Sequence, residues 1–217
     1  MSVKIYKALL FVSLIILASC YPKGAEYIEE LDLVYTNFYD QFDFQARNTY
    51  SLPDSVIKIT GEALNDPDGN EKPEFLPKAT GDIILNQIRT NMTAYGYTEV
   101  DLGQNPDVLI LASTMTTTNI YYYYDWWYWD WWYGGYYPPW GWYYPCCYYP
   151  SYVTGYRSGS VLIQMVDPKA IGQGDTNVPV VWTAIFNGMA EGGTANITTR
   201  VQAGIDKAFA QSPYLKH

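Results

Sequence analysis

The sequence predicts an α+β fold: a mostly antiparallel sheet with two helices packed on one face, plus a long aromatic insertion at a hairpin tip. Two segments, Lys78–Tyr95 and Thr194–Gln211, repeat apolar residues at helical spacing. Short runs rich in β-branched and aromatic residues flank them, which is typical of strands. The run Tyr121–Tyr152 fits neither pattern and separates two of the predicted strands. The predicted order is strand, strand, helix, strand, insertion, strand, strand, helix.

The first half of the chain supplies two predicted strands and the first helix. Leu31–Phe38 and Arg47–Leu52 have strand composition, and Pro53 ends the second of them. Gly96 follows the helix Lys78–Tyr95 and favours a left-handed helix stop. The helix is expected to bury a single apolar face, made of Ile84, Leu85, Ile88, Met92 and Tyr95.

The second half supplies three strands and the closing helix. Val108–Ala112 is a continuous apolar run, which predicts a strand buried on both faces. Gly159–Asp167 and Val178–Gly188 alternate apolar residues with a period of two. Because two strands border the insertion directly, we expect them to pair as a hairpin. The helix Thr194–Gln211 ends before Pro213, and its apolar stripe comprises Ile197, Val201, Ile205, Ala208 and Phe209.

Residues 1–19 have the features of a signal peptide. Lys4 and Lys7 form a positive amino-terminal region, and Ala8–Leu17 forms a short apolar core. The motif Leu17-Ala18-Ser19-Cys20 resembles a bacterial lipobox. That resemblance implies cleavage before Cys20 and a diacylglycerol on its thiol. A mature chain anchored by more than one acyl chain is held stably in a membrane.

These features predict three parts: the signal peptide, a lipidated tether over residues 20–30 and one α+β domain over 31–217. Tyr21 follows the lipidated cysteine where an inner-membrane lipoprotein would carry Asp. We therefore expect a Gram-negative outer-membrane lipoprotein of the cell envelope, on either the periplasmic face or the cell surface. Acidic residues in the tether region resemble surface-export signals of some lipoproteins, namely Glu26, Glu29, Glu30 and Asp32.

The acidic charge balance limits the classes of partner. Loss of Lys4 and Lys7 with the signal peptide takes the formal charge from −9 to −11. Nucleic-acid binding needs a basic face, so no nucleic-acid partner is expected. Adhesion to anionic lipid by charge is disfavoured for the same reason.

The insertion, residues 120–156, is the most unusual part of the sequence. Of the 32 residues in Tyr121–Tyr152, 13 are Tyr and 7 are Trp. A few exposed aromatic side chains of about 150–250 Å² each already reach the size of the largest apolar patch on a typical monomer. The segment therefore covers itself as a low-complexity loop, or it contacts a membrane interface, a glycan such as peptidoglycan, or an envelope protein. The expected contact residues are Trp126, Trp127, Trp129, Trp131, Trp132, Trp140 and Trp142.

Few catalytic arrangements are compatible with the sequence. The only histidine is His217, which removes His-based metal sites and Ser-His-Asp or Cys-His catalysis. Cys146 and Cys147 are a possible vicinal disulfide, or each could bond another molecule. No catalytic residue, metal site or cofactor is predicted. The alternative is a carbohydrate-active or other envelope enzyme that uses carboxylates such as Asp40 and Asp43.

Eight short motifs spread over the mature chain together resemble a bacterial lipoprotein-like family, domain-of-unknown-function family 4136. The motifs are Phe42-Asp43-Phe44, Asn48-Thr49-Tyr50, Ala94-Tyr95-Gly96-Tyr97, Pro106-Asp107-Val108-Leu109, Gly159-Ser160-Val161-Leu162-Ile163, Val166-Asp167, Pro179-Val180-Val181-Trp182-Thr183 and Ser212-Pro213. The resemblance implies a secreted α+β domain that is often lipid-anchored, and it implies no activity or catalytic residue. The sequence departs from the family pattern in its insertion and at Thr183, where a basic residue is more usual.

Overall fold

The computed structural model divides the chain into two compact units, Met1–Leu31 and Asp32–His217. The residues that the structure describes all lie in the second unit and are 34–59, 74–115, 159–170, 180–186 and 194–217. Within these ranges, no helix has both the length and the apolar character needed to cross a membrane.

The described residues form eight strands and two α-helices. The strands are β1 (Val34–Phe38), β2 (Thr49–Ser51), β3 (Ile57–Ile59), β4 (Glu74–Phe75), β5 (Thr98–Glu99), β6 (Val108–Met115), β7 (Ser160–Val166) and β8 (Val180–Phe186). The α-helices are α1 (Lys78–Ala94) and α2 (Thr194–Ala210). Four short 3-10 helices span Phe44–Ala46, Leu102–Gln104, Pro168–Ala170 and Pro213–Leu215.

The eight strands form one mixed sheet, so the expectation of a mostly antiparallel sheet is wrong. Its main path is β1-β8-β7-β6-β2-β5, with β3 paired to β6 and to β4. The pairs β1–β8, β7–β8, β6–β7 and β3–β4 are antiparallel, whereas β2–β5, β2–β6 and β3–β6 are parallel. The parallel pairs arise because α1 lies between β3 and β6 in the chain. A helical crossover of this kind returns the chain to the end of the sheet from which it started.

Strands β2 and β3 lie along the same edge of β6. Tyr50 pairs with Val108 near the start of β6, and Ile57 pairs with Ser113 near its end. Pro53 lies between them and has no backbone N–H to donate, so the edge is interrupted there. The prediction correctly ended β2 before Pro53, but it did not include β3, β4 or β5.

The main core lies between the helices and one face of the sheet. On that face, Val108, Ile110 and Ala112 of β6 join the same buried cluster as residues of both helices. The predicted apolar faces of the two helices are confirmed. Their fully buried members are Ile84, Leu85, Ile88, Met92, Val201, Ile205, Ala208 and Phe209, while Tyr95 and Ile197 are partly buried.

Helix α1 is followed by the left-handed glycine that the sequence predicts at position 96. Gly96 has a φ of 94°, which favours glycine over residues with a side chain. The Gly96 N–H donates to the Thr93 carbonyl at 3.1 Å, and the Tyr97 N–H donates to the Met92 carbonyl at 3.0 Å. These two bonds are those of a Schellman motif.

The two central strands are buried on both faces. Every residue of β6 is buried, as the apolar run Val108–Ala112 predicts. Every residue of β7 is buried as well, although its sequence alternates. β7 lies between β6 and β8, so both of its backbone edges are also paired within the sheet.

Candidate functional site

The sheet has two ends, separated by the length of β6. Asp107 precedes β6 at one end, and Met115 ends the strand at the other. A strand rises about 3.3 Å per residue, so Val108 and Met115 lie roughly 23 Å apart along it. A polar cluster occupies the end near Asp107, here called the polar end. The predicted insertion connects β6 to β7 at the opposite end, here called the insertion end.

At the insertion end, β6 and β7 stay paired to their last described residues. Met115 is paired with Ser160, and the Gly159 N–H donates to the Met115 carbonyl at 2.7 Å. The prediction that the strands bordering the insertion pair as a hairpin is therefore confirmed. The chain leaves the sheet after Met115 and rejoins it at Gly159, one strand spacing away.

The start of β1 lies at the same end of the sheet. Thr114 pairs with Val161, Val161 with Phe186, and Phe186 with Val34, so the four residues form one row across β6, β7, β8 and β1. Neighbouring strands lie about 4.8 Å apart, so Val34 is roughly 14 Å from β6. The residues that precede β1 in the sequence therefore join the sheet at its insertion end.

The predicted contact and lipidation residues lie outside the described part of the chain. They are Cys20, Trp126, Trp127, Trp129, Trp131, Trp132, Trp140, Trp142, Cys146 and Cys147. The eighth tryptophan, Trp182, is in the core with 1% of its surface exposed. Its indole N–H donates to the Ser212 hydroxyl at 2.9 Å. Trp182 is thus a structural residue of the core.

At the polar end, Asp107 joins β2 to the start of β6. One carboxylate oxygen accepts from the Asn48 N–H at 3.0 Å, the Thr49 N–H at 3.1 Å and the Thr49 hydroxyl at 2.9 Å. The other oxygen accepts from the Lys169 ammonium at 2.6 Å. Desolvation raises the pKa of Asp107, but the hydrogen bonds from Lys169, Asn48 and Thr49 outweigh it and hold the pKa well below its usual range. An acid that stays ionised in this way is a poor general acid near neutral pH.

A second ion pair lies beside Asp107. The Arg47 guanidinium approaches the Asp167 carboxylate at 3.3 Å and lies over the Phe42 ring at 5.1 Å. The Asp167 carboxylate also accepts from the backbone N–H of Lys169 at 2.9 Å. Asp107 and Asp167 belong to the motifs quoted above, so their positions directly before β6 and after β7 were visible in the sequence. The ion pairs Arg47–Asp167 and Lys169–Asp107 were not, because their partners lie 120 and 62 positions apart along the chain.

The structure places the two carboxylates considered for an enzyme in different local settings. Asp43 caps the 3-10 helix Phe44–Ala46, accepting from the Gln45 N–H at 3.1 Å and the Ala46 N–H at 3.3 Å. Asp40 is exposed and follows β1. In the described ranges, no group of three or more His, Cys, Asp and Glu side chains is arranged to hold a metal ion.

Comparisons with known proteins agree with the resemblance of the motifs. The family model of a domain of unknown function, DUF4136, matches residues 34–214. A crystal structure of a DUF4136 family protein from Bacteroides thetaiotaomicron is 32% identical in sequence, with a TM-score of 0.61. The match covers 85% of this chain and 97% of that one.

Another known protein is much less similar to this chain. A crystal structure of a PDZ domain protein from Parabacteroides distasonis is 14% identical in sequence, and the match covers 86% of this chain and 37% of that one. Its TM-score of 0.43 is too low to carry an argument. None of the curated proteins matches the chain. From the family model and the Bacteroides structure together, the chain belongs to the DUF4136 family of domains of unknown function.

Proposed function

We propose that this protein is a membrane-anchored lipoprotein of the bacterial envelope that works by binding or assembly through its Tyr/Trp-rich insertion. The observation that carries the proposal is the intact pairing of β6 and β7 up to Met115 and Ser160. Because β6 and β7 remain hydrogen-bonded up to this point, a long connection between them does not interrupt their pairing. The insertion is then an addition to a domain with a sheet and a core of its own.

The packing of the described elements supports this separation of roles. Among the largest fully buried side chains are Trp182, Phe186 and Phe209, which come from β8 and α2. The indole ring of Trp182 and the ring of Phe209 are 5.4 Å apart, so sheet and helix meet directly in the core. Aromatic side chains bury more apolar surface per residue than other side chains, so this contact contributes strongly to the core.

The amount of aromatic surface supports a binding role. Seven Trp and thirteen Tyr within Tyr121–Tyr152 far exceed what an exposed loop can leave in water. Tyr and Trp are also the side chains that dominate interaction hot spots. The lipobox-like motif at Cys20 and the relative from Bacteroides, a Gram-negative genus, fit an outer-membrane lipoprotein.

A deletion of residues 120–156 tests the proposal. Thr116 to Asn119 and Arg157 to Gly159 remain and provide a short connection between β6 and β7. We expect the variant to unfold cooperatively and to lose retention on isolated outer membranes and on purified peptidoglycan, which the unaltered protein should show on at least one of them.

Two results would contradict the proposal. Loss of cooperative unfolding would mean that the insertion belongs to the core. A folded variant that is retained as strongly as the unaltered protein would mean that the insertion is not the binding element. Hydrolysis of envelope polysaccharide that is lost in Asp40→Asn or Asp43→Asn would favour the enzyme class instead.

A further inference from the structure

We propose that the outer edge of β1 is a self-association surface, at which β1 pairs antiparallel with β1 of a second copy of this chain. The two copies meet across a two-fold axis at Thr36 and join their sheets into one. The surface consists of Val34–Phe38 and is separate from the insertion. The inference therefore goes beyond the proposed function and does not rest on it.

Strand β1 forms one edge of the sheet. Its neighbour is β8, and in the part of the chain that the structure describes no other strand pairs with it. Natural proteins protect edge strands from pairing with another chain by means of proline, charged residues or bulges. The sequence of β1 is VYTNF, without proline or charge, and its register with β8 is continuous over five residues. This edge therefore lacks the usual protection against pairing.

One hydrogen bond shows which backbone groups of β1 face outward. The Tyr39 N–H donates to the Val181 carbonyl at 2.9 Å. Because Phe38 is the register partner of Trp182, this bond makes them a non-hydrogen-bonded pair of the ladder. The alternation of an antiparallel ladder then directs the N–H and C=O groups of every second residue away from β8. These residues are Val34, Thr36 and Phe38. Within the described ranges, no strand pairs with β1 on that side.

The side chains of β1 are complementary to those of a second β1. An antiparallel pair of identical strands centred on Thr36 places Thr36 opposite the Thr36 of the second copy. Val34 then faces Phe38, and Tyr35 faces Asn37. Thr–Thr and aromatic–β-branched pairs stabilise antiparallel strands, and no like charges meet in this register. The same register aligns every outward N–H of one strand with an outward C=O of the other, so all of them are hydrogen-bonded.

Phe38 gives this edge an exposed aromatic ring that is already held in place. Of its surface, 37% is exposed, although its ring stacks on the ring of Tyr214 with centroids 3.8 Å apart. The Tyr214 hydroxyl in turn donates to the Ser212 hydroxyl at 3.1 Å. Val34 of the second copy would cover the exposed part of Phe38. A side chain that is ordered before binding loses less conformational entropy on binding, which favours the contact.

The size of the edge predicts a weak and reversible dimer. Five residues at about 3.4 Å each give a strand of roughly 17 Å. Stable protein interfaces bury about 1,200–2,000 Å² in total, and a single strand pair of this length is smaller than that. Two copies should therefore exchange between monomer and dimer, and a covalent bond between the paired strands is a more sensitive test than the size of the particle in solution.

Thr36→Cys provides that test. Partners in a hydrogen-bonded antiparallel pair have Cα atoms about 5.5 Å apart, within the range of about 4.4–6.8 Å that a disulfide spans. The full chain with Cys146→Ser and Cys147→Ser is expressed with Thr36→Cys, and the cells are oxidised with copper phenanthroline. We expect several-fold more disulfide-linked dimer than with Thr93→Cys, which lies on an exposed position of α1. The same chain without an added cysteine controls for linkage through Cys20.

A pair of variants tests the register. In the proposed dimer, the two copies of position 34 lie roughly 14 Å apart, because four residues separate position 34 from position 38. A disulfide cannot bridge Cα atoms more than about 7 Å apart, so neither Val34→Cys nor Phe38→Cys should link to itself. When the two variants are co-expressed with different tags, we expect a mixed dimer. Self-linking of Val34→Cys would indicate parallel strands and overturn the proposal.

A Thr36→Cys chain that unfolds like the unaltered protein but links no more than Thr93→Cys would also overturn the proposal. If Thr36→Cys does not fold, the mixed dimer of the other pair decides. Deletion of residues 120–156 should leave the link at position 36 unchanged, because the edge lies outside the insertion. A link that disappears with the deletion would assign self-association to the insertion, which overturns this inference and supports the proposed function. A link that persists while the deletion changes no retention would contradict the proposed function alone.

Discussion

Asp107, which precedes β6, and Thr49, which begins β2, each donate hydrogen bonds to the other. The Thr49 N–H and hydroxyl donate to the Asp107 carboxylate, and the Asp107 N–H lies 3.0 Å from the Thr49 hydroxyl oxygen and 3.1 Å from its carbonyl oxygen. Strand β2 has only three residues and therefore few ladder hydrogen bonds of its own. The reciprocal contact therefore adds hydrogen bonds that help to hold this short parallel strand in register beside β6.

Asp107→Asn should therefore destabilise the domain at neutral pH. The amide keeps the shape of the side chain but loses its negative charge. That charge is what the Lys169 ammonium, the Asn48 N–H and the N–H and hydroxyl of Thr49 donate to. Hydrogen bonds to charged groups contribute about 1.5–3 kcal/mol, so we expect a loss of that order in the free energy of unfolding by urea. Asp82→Asn is the matched control, because its ion pair with Lys78 is exposed and should cost less than about 0.5 kcal/mol.

The same carboxylate should make stability depend on pH. The pKa of the Asp107 carboxyl is lower in the folded domain than in the unfolded chain, where an aspartate side chain titrates at about 3.9. The unfolded state therefore binds more protons, and the contribution of Asp107 is present above about pH 4 and lost as the pH falls below it. Urea titrations from pH 6 downward should show a shallower decline for Asp107→Asn than for the unaltered protein. Parallel declines would exclude Asp107 as a source of acid sensitivity.

The Ser212 hydroxyl supports a second prediction, because it accepts two hydrogen bonds in the core. It accepts from the Trp182 indole N–H at 2.9 Å and from the Tyr214 hydroxyl at 3.1 Å. Ser212→Ala leaves the buried indole N–H without its acceptor, which should cost about 1–3 kcal/mol. A double-mutant cycle with Trp182→Phe measures the coupling, and the second substitution should cost less once the first has been made. Additive losses would show that the indole hydrogen bond contributes nothing.

Sequence patterns predicted the parts of this fold that depend on local periodicity. The spacing of Ile84, Ile88 and Met92 was enough to predict the buried face of α1, since helix geometry alone aligns those residues. The left-handed stop at Gly96 was equally predictable, because it depends on one backbone conformation.

Features that depend on distant contacts were not predictable in this way. Strands β3, β4 and β5 have two or three residues each, which is too short for a periodic signal. The Asp107–Lys169 pair joins residues 62 positions apart, and only the assembled sheet brings them together. The direction of β6 relative to β2 could have been inferred, because a helix between two strands favours a parallel crossover.

Gly204 offers a third prediction, because α2 lies very close to β8 at this residue. A Cβ placed on Gly204 would lie 2.8 Å from a ring carbon of Phe186, which is buried with 1% of its surface exposed. Gly204→Ala should therefore destabilise the domain by about 1–3 kcal/mol, despite the better helix propensity of alanine.

Gly81→Ala in α1 is the matched control for that substitution. Its Cβ would make an ordinary contact of 3.6 Å with Val56, so the helix propensity should dominate and stabilise the domain by up to about 1 kcal/mol. Both effects are measured by chemical denaturation. Stabilisation in both variants would mean that α2 can move away from Phe186.

Tyr97 provides a fourth prediction, in which removing a polar atom stabilises the protein. Its side chain is 3% exposed, and among the described residues its hydroxyl oxygen has no hydrogen-bond partner. Tyr97→Phe should raise the free energy of unfolding by about 1 kcal/mol, because burying an unpaired hydroxyl is unfavourable. Tyr95→Phe is the contrasting control, since the Tyr95 hydroxyl donates to the Phe209 carbonyl at 2.7 Å and its loss should destabilise the domain.

Alkaline pH tests the same residue independently. Desolvation by burial raises the pKa of Tyr97 to about 12, whereas an exposed tyrosine titrates near about 10. Between these two values the unfolded chain loses the Tyr97 proton and the folded domain keeps it, so stability falls as the pH rises through this window. Tyr97→Phe should therefore decline less steeply than the unaltered protein in urea titrations above about pH 10. An equal decline, together with no gain at neutral pH, would show that the hydroxyl finds a partner in solution.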